Sequence, residues 1–252
     1  MVRVVSIQRY PVKGLSAEPL KRTMIAAGDT LPYDRAYAIE NGPSGFDPAA
    51  PTHYPKIVFL MLMRHERLAE LETRFDAATT TLTIRKDGMT VAEGNLETEA
   101  GRRVIETFFD SFATRELKGP ARILRSPGHT FADARGKLVS LINLETVRAL
   151  GKDLGADLHP LRFRGNLHVE GWPAWGEFDL VGKSLKIGGA TFTVTKRIDR
   201  CDATNVNPVT AARDQTIPRS MQIAYGHADI GIYLEVTGAG EIAEGDSVTV
   251  VG

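Results

Sequence analysis

Short segments that alternate apolar and polar residues, separated by turns rich in glycine and proline, recur along almost the whole chain. An alternation with a period of two is typical of strands that bury one face. Asp87-Gly88, between residues 80–86 and 89–92, predicts a hairpin. The other predicted strands are residues 2–7, 24–26, 36–40, 56–61, 166–169, 178–181, 184–187, 191–196, 231–237 and 247–251. So many short strands predict a mainly β protein, built as a barrel or as closely packed sheets.

Helical spacing of apolar residues is confined to two segments. Residues 101–113 predict an amphipathic helix, and residues 144–150 predict a second one whose start Asn143 is able to cap. The fold class is therefore α+β with few helices. Turn residues between the two helices indicate a junction. We predict a smaller N-terminal β-domain over residues 1–118 and a C-terminal β-barrel over residues 119–252.

The charge balance disfavours several classes of partner. The 252 residues include 31 basic and 31 acidic side chains, so the net charge is zero. We therefore expect no nucleic acid and no membrane as partner, and we expect any anion site to be local. The N-terminus lacks the apolar core of a signal peptide, and the longest apolar run, residues 57–63, is too short to span a bilayer. The single cysteine cannot form an internal disulfide, so we expect a cytoplasmic protein.

That cysteine, Cys201, follows a predicted strand and enters a polar loop that ends at Pro208. A neighbouring cation such as Arg200 favours the thiolate, whereas Asp202 acts in the opposite direction. A lone cysteine is often a small hydrophobe in a core. The flanking charges disfavour a core position here, so the loop alone leaves packing and chemistry evenly balanced.

Basic residues stand at the ends of several predicted strands. Lys13 follows the first strand beside Gly14, Arg35 opens another strand, and Arg162 and Arg164 open the second half of the chain. Such residues are usually solvated or paired with carboxylates. Alternatively they gather around a phosphate, because a guanidinium binds two oxygens at once. The spacing does not decide between these two interpretations.

Motifs of several other enzyme classes do not occur in the sequence. The six histidines lack metal-ligand spacing, and no cysteine pair is present for a zinc site. Neither a glycine-rich nucleotide-binding loop nor a serine-hydrolase elbow is found. These absences disfavour nucleotide-dependent enzymes and serine hydrolases.

A set of ordered motifs resembles the MOSC proteins, a family named for the C-terminal domain of molybdenum cofactor sulfurase. The family includes the mitochondrial amidoxime-reducing component and its bacterial relatives. The resemblance covers nearly the whole chain, and the order and spacing of the motifs make it specific. The motifs are residues 10–14 (Tyr-Pro-Val-Lys-Gly), Gly28 with Asp34-Arg35, residues 138–144, residues 162–167 (Arg-Phe-Arg-Gly-Asn-Leu), residues 200–208 (Arg-Cys-Asp-Ala-Thr-Asn-Val-Asn-Pro) and residues 240–248.

The resemblance implies a MOSC-type β-barrel with a smaller N-terminal β-domain, and a pterin-based molybdenum cofactor held between the two. In the family the motif cysteine either ligates molybdenum or carries transferable sulfur as a persulfide. Cys201 takes that place, as catalytic residue and as metal ligand. The implied cofactor-binding residues are Lys13, Arg35, Ser140, Asn143, Arg162, Arg164, Asn166, Arg200 and Thr204.

Three functions are compatible with this resemblance. The first is an oxidoreductase that reduces small N-oxygenated or related substrates with Cys201 as molybdenum ligand. The second is a sulfur carrier or cofactor-delivery protein that uses a Cys201 persulfide and a cysteine desulfurase partner. The third is a non-catalytic cofactor-binding module. Because an iron–sulfur cluster needs four cysteines, any reduction would take its electrons from separate donor proteins.

The chain departs from the family pattern at some of these positions. Gly14 stands where the family has serine, and Asn143 where a second serine is often found. Asn205 and Asn207 replace threonine and aspartate after the cysteine. The cysteine itself and most of the basic residues are unchanged.

Overall fold

A computed structural model describes residues 1–251 and contains, within that range, fifteen strands and three α-helices. The strands are β1 (Arg3–Arg9), β2 (Glu18–Leu20), β3 (Arg22–Ile25), β4 (Tyr37–Asn41), β5 (Glu72–Asp76), β6 (Thr81–Lys86), β7 (Met89–Asn95), β8 (Ala121–Arg125), β9 (Val139–Asn143), β10 (Leu167–Glu170), β11 (Ser184–Ile187), β12 (Ala190–Asp199), β13 (Asp229–Gly238), β14 (Gly240–Ala243) and β15 (Val248–Val251). The helices are α1 (Glu99–Phe112), α2 (Leu144–Leu154) and α3 (Ile217–Tyr225). The prediction of a mainly β protein with few helices is confirmed.

Eight strands form one large sheet in the order β15-β11-β12-β13-β9-β10-β1-β2, antiparallel except between β9 and β10. The sheet curls back on itself, because Val4 on β1 exchanges backbone hydrogen bonds with Gly245 and Asp246 ahead of β15, at 2.9 Å each. The result is a barrel that encloses one apolar core. Among the fully buried side chains of that core are Ile7, Leu141, Leu167, Phe192, Ile232 and Leu234.

The second core lies in a smaller unit built from the β5-β6-β7 sheet, the β4-β8 pair and α1. The two units share strands across the predicted boundary near residue 118. β1 and β2 belong to the large sheet, β3 pairs with β14, and β8 pairs with β4. The division into residues 1–118 and 119–252 therefore stays a prediction about sequence units rather than about separate sheets.

Local chemistry explains the elements that the sequence predicts correctly. The side chain of Thr98 accepts a hydrogen bond from the Gly101 amide at 3.1 Å and so caps α1. Asn143 caps α2 in the same way, and Gly155 ends that helix in the left-handed conformation, with φ 63°. At the β6-β7 hairpin, Asp87-Gly88 takes positive φ at both positions, as a tight two-residue turn requires.

Two predicted strands are instead 3-10 segments. Residues 56–61 begin with the 3-10 segment Lys56–Val58, and only Phe59 bridges to β4, through Glu40. Residues 178–181 fall largely within the 3-10 segment Gly176–Leu180. Both apolar runs are too short for periodicity to separate a strand from a helical turn.

The sequence patterns also do not predict β2, β5, β8, β9 or α3. β8 lies inside the segment predicted to be a junction. α3 is a short helix, and the side-chain oxygen of Asn205, twelve residues earlier, accepts a hydrogen bond from its first amide, that of Ile217, at 2.7 Å. Because this capping side chain is distant in the sequence, the residues just before α3 give no capping signal. None of the three helices has the length and apolar character that a membrane crossing needs.

His168 on β10 is a buried histidine, with 5% of its surface exposed. Its Nδ1 lies 3.0 Å from the Ser6 hydroxyl, and its Nε2 has no hydrogen-bond partner among residues 1–251. Burial lowers the pKa of His168 to about 4. The folded protein therefore resists protonation of a ring that takes up a proton near pH 6.5 once unfolded.

We expect the free energy of unfolding to fall between pH 7 and pH 4, because the unfolded state binds this proton first. In His168→Phe that titration is absent, so wild type should lose up to about 3 kcal/mol more than the variant over this range. Urea unfolding at both pH values measures the difference. His53→Phe, at an exposed position, is the control and should follow wild type. Equal losses in wild type and His168→Phe would contradict the assignment.

Candidate functional site

A cavity of about 710 Å³ opens between the barrel and the smaller unit. Its wall combines the turn after β1, the segment around Met61, the loop before β9, the 3-10 segment Pro160–Phe163, and the end of β12 with the Cys201 turn. Nine of the ten predicted site residues line it. They are Lys13, Arg35, Ser140, Arg162, Arg164, Asn166, Arg200, Cys201 and Thr204.

Asn143 is the predicted site residue that the structure does not bring to this cavity. It is fully buried, and its side-chain oxygen caps α2. Its Nδ2 donates to the Pro173 carbonyl and to the Glu177 carboxylate, each at 2.9 Å. Because both ends of the amide are engaged, Asn143 has a structural role at the start of α2.

The cavity concentrates positive charge in a protein whose net charge is zero. Eight cationic and four acidic side chains line it, an excess of four positive charges. The cationic side chains are Lys13, Arg35, Lys56, Arg162, Arg164, Lys196, Arg197 and Arg200, and the acidic ones are Asp34, Asp133, Asp199 and Asp229. In a protein with no net charge, an anion site needs basic side chains gathered in one place, and this cavity gathers them.

Two of these arginines lie against one aromatic ring. The guanidinium carbons of Arg35 and Arg164 are each 4.3 Å from the centre of the Tyr10 ring. Arg35 pairs with Asp34 and donates to the Arg164 carbonyl at 2.8 Å. Arg164 donates to the Leu15 carbonyl at 2.8 Å and has no carboxylate partner among residues 1–251. Burial lowers the pKa of Arg164 to about 10, although Tyr10, Asp133 and Asp34 favour its charged form.

Arg162 is more deeply buried, with 4% of its surface exposed. It binds both carboxylate oxygens of Asp214, at 2.7 and 2.8 Å. Its Nε has no hydrogen-bond partner among the described residues. Buried donors are almost always satisfied, so this free N–H on a cavity-lining residue fits an acceptor on a ligand.

Arg200, the residue before Cys201, donates hydrogen bonds to backbone carbonyls of two neighbouring segments. It donates to the Ile230 carbonyl from Nε at 2.8 Å and to the Phe163 carbonyl from Nη1 at 2.7 Å. Burial lowers its pKa to about 10. These bonds join the end of β12 to β13 and to the segment before Arg164, so Arg200 holds the cavity wall together.

Cys201 is partly exposed and lies just ahead of the 3-10 segment Asp202–Asn205. Its carbonyl accepts hydrogen bonds from the amide and the hydroxyl of Thr204, at 3.1 and 3.0 Å. Thr204 therefore fixes the backbone of the turn that begins at Cys201. The thiol belongs to no apolar core of the described residues, which favours chemistry over packing.

A cluster of charged side chains that the sequence does not predict lies on the same cavity wall as this thiol. Lys13 donates to the Phe131 carbonyl at 2.7 Å and pairs with Asp133, which also lies 3.7 Å from the Nζ of Lys56. Burial lowers the pKa of Lys13, although Asp133 opposes that effect. Burial acts to lower the pKa of Lys56, but Asp133 and the neighbouring Cys201 outweigh it and raise that pKa. No sequence signal joins residues 56, 133 and 201, because three separate loops carry them.

Ser140 and Asn166 form a neutral part of the wall. The Ser140 hydroxyl donates to Asn166 Oδ1 at 2.8 Å, and Asn166 Nδ2 donates to the Gln8 carbonyl at 3.1 Å. These bonds link β1, β9 and the start of β10 under the cavity. Within residues 1–251, no group of three or more histidine, cysteine, aspartate or glutamate side chains has an arrangement that could hold a metal ion.

The fold and the site define a β-barrel protein with a cationic cavity beside a single thiol. A model of the MOSC N-terminal beta barrel domain matches residues 1–118, and a model of the MOSC domain matches residues 128–249. Together they match nearly the whole chain, and the chain belongs to the MOSC family. This family is associated with binding of the molybdenum cofactor.

Solved structures show weaker similarity. The YuaD protein from Bacillus subtilis is 12% identical over 98% of this chain and 94% of that chain, with a TM-score of 0.45. YiiM from Geobacillus stearothermophilus is 18% identical over 45% of this chain and 54% of that chain, with a TM-score of 0.36. YiiM from Escherichia coli is 17% identical over the same shares, with a TM-score of 0.34. This chain therefore spans about half the length of each YiiM structure. No curated protein matches the chain.

The uncompensated charge of Arg164 predicts that the cavity binds inorganic phosphate. We expect Arg164→Met to raise the Kd for phosphate at least about tenfold, because a charged hydrogen-bonding partner is worth about 1.5–3 kcal/mol. Isothermal titration calorimetry measures the change. Arg148→Met, on the exposed face of α2, is the control and should bind as wild type does. Unchanged affinity in Arg164→Met would show that the anion site lies elsewhere.

Proposed function

We propose that this protein is an oxidoreductase that binds the molybdenum cofactor and reduces small N-oxygenated or related substrates, with Cys201 as the molybdenum ligand. The observation that carries the proposal is the position of the only thiol on the wall of a cavity with an excess of four positive charges. The association of the MOSC family with this cofactor supports it.

The residues of the cavity fit a pterin that carries a phosphate. A volume of about 710 Å³ lies in the range of small-molecule and cofactor sites. The free Nε–H of Arg162 and the unpaired charge of Arg164 are both suited to an anionic ligand. Asp133 offsets only part of the charge on Lys13 and Lys56. The donor set is therefore one that an organic phosphate would satisfy.

Each side chain has a defined task in this proposal. Arg35, Arg162 and Arg164 bind the anionic part of the cofactor, and the Ser140–Asn166 pair, whose polar groups bond to each other and to Gln8, supports the wall beside it. The cofactor, when bound, supplies the two-electron redox chemistry. Cys201 supplies a soft sulfur ligand, which suits molybdenum and which must lose its proton to bind.

Lys56 lies on the same cavity wall as Cys201. Its ammonium group provides a proton at the side of the cavity where the substrate would react. The chain has one cysteine and so no cluster of its own. We therefore include a separate electron-donor protein in the proposal, together with a small-molecule substrate.

A sulfur carrier is the second candidate, and the partial exposure of Cys201 favours it. Here the Cys201 thiolate attacks the outer sulfur of a persulfide on a cysteine desulfurase. A new sulfur–sulfur bond forms on Cys201, and the desulfurase thiolate leaves. Mass spectrometry after incubation with the desulfurase should then show one added sulfur on wild type and none on Cys201→Ser.

We expect about one molybdenum and one pterin per chain after expression in a host that makes the cofactor. Metal analysis and pterin fluorescence measure both. Cys201→Ser should keep the pterin, because the arginines hold it, and should lose reduction of an amidoxime with a reduced dye as electron donor.

Two results would oppose this proposal. Wild-type protein free of metal and pterin would exclude the oxidoreductase. Full activity and full cofactor content in Cys201→Ala would favour a non-catalytic binding module in which the thiol has no chemical role.

A further inference from the structure

The loop between the Cys201 turn and α3 folds back on itself. Val206 forms an isolated β-bridge with Arg213, and the Asn207 amide donates to the Ala212 carbonyl at 2.8 Å. This return brings Arg213 and Asp214 beside the turn that carries the thiol. Neither residue belongs to a motif in the sequence.

Arg213 joins two sides of the cavity. Its Nη1 donates to the carbonyl of Asp202, the residue after Cys201, at 2.9 Å. Its Nη2 lies 3.2 Å from the carbonyls of Leu62 and Met63 and 3.2 Å from the Glu66 carboxylate. Leu62 and Met63 themselves line the cavity. One guanidinium therefore connects the cysteine turn to the wall that the smaller unit supplies.

Asp214 acts on the other side of the same turn. Both of its carboxylate oxygens accept hydrogen bonds from Nη2 of the buried Arg162. It also accepts a hydrogen bond from Asn207 Nδ2 at 2.8 Å. Arg162 in turn donates to the Thr204 and Asn205 carbonyls, at 3.4 and 3.3 Å. The carboxylate thus orients the arginine, and the arginine contacts the turn next to Cys201.

We propose that Arg213 and Asp214 are a pair of positioning residues that set the distance between Cys201, Arg162 and the Leu62–Met63 wall. The catalytic value of this pair rests on the proposed function, since a metal ligand and an anion-binding arginine act together only at a fixed separation. The positioning itself is a property of the cofactor-free chain.

The arrangement differs from an ordinary surface ion pair. An exposed ion pair such as Arg213 with Glu66 contributes little to stability on its own. Here three backbone carbonyls from two parts of the chain share the same guanidinium. A lysine ammonium is compact and lacks this planar fork, so it cannot reach all of these acceptors together. Loss of Arg213 should therefore loosen the turn more than it lowers global stability.

Alkylation of cofactor-free protein by iodoacetamide tests this directly, because Cys201 is the only cysteine. The rate is measured at alkaline pH, where thiols in general ionise and access to the sulfur controls the reaction. We expect Arg213→Ala to raise the rate roughly fivefold through local opening of the turn. Arg213→Lys should lie between wild type and Arg213→Ala, and Asp214→Asn should also exceed wild type.

Arg219→Ala is the matched control. Arg219 is an exposed arginine on α3 that lines a surface groove together with Arg64, Glu66 and Arg213. It has no hydrogen-bond or ion-pair partner among residues 1–251. It should alkylate at the wild-type rate. Hydrogen exchange gives a second measurement, in which Arg213→Ala should speed exchange in residues 201–206 and in residues 61–66 without a general increase.

Two results would overturn the positioning role. One is an Arg213→Ala rate equal to wild type and to Arg219→Ala. The other is a faster rate that rises with urea as global unfolding does, because the effect would then be one of stability. A wild-type protein that lacks molybdenum would refute the proposed function while leaving the alkylation result intact, so the two failures are distinguishable.

Discussion

Two guanidinium groups of like charge are held against one tyrosine ring, and the rest of the site is arranged around that constraint. Arg35 and Arg164 both lie 4.3 Å from the centre of the Tyr10 ring, yet only Arg35 has a carboxylate partner, Asp34. Backbone carbonyls keep both groups in place, and each residue takes a positive φ, 51° and 49°. Left-handed backbone at two bulky residues carries a conformational cost. An anionic ligand would relieve the repulsion between the two charges.

The fold makes this arrangement possible because β1 belongs to the barrel while the chain after it enters the smaller unit. Lys13 thereby reaches the cavity just after β1, and the buried ring of Tyr10 lies against the cavity-lining residues Arg35 and Arg164. Gly14 allows the crossing: it has φ 85°, and a Cβ there would lie 2.8 Å from the Leu60 carbonyl. The serine that the family has at this position would be strained in this chain. The loss of a hydroxyl at Gly14 therefore has a structural reason here.

The sequence predicts most of the barrel and most of the cavity, and the errors have identifiable causes. The spacing of the basic residues leaves open whether they gather at one place, and the structure brings Lys13, Arg35, Arg162 and Arg164 to the wall of one cavity. Asn143 is the exception. Its position ahead of a helix predicts the cap correctly, and that cap, with the bonds to Pro173 and Glu177, occupies the amide. Lys56 lies in a 3-10 segment whose sequence pattern predicts a strand. Only the tertiary fold brings it to the cavity wall that also carries Cys201. Arg213 is likewise visible only through its contacts across the cavity.

We propose that Cys201 faces the cofactor and binds its metal. X-ray absorption at the molybdenum edge tests this most directly, since it counts the sulfur atoms bound to the metal. In protein loaded with cofactor, we expect Cys201→Ser to lose one sulfur scatterer and to gain an oxygen or nitrogen in its place, while Arg219→Ala leaves the spectrum unchanged. An identical sulfur count in wild type and Cys201→Ser would contradict it.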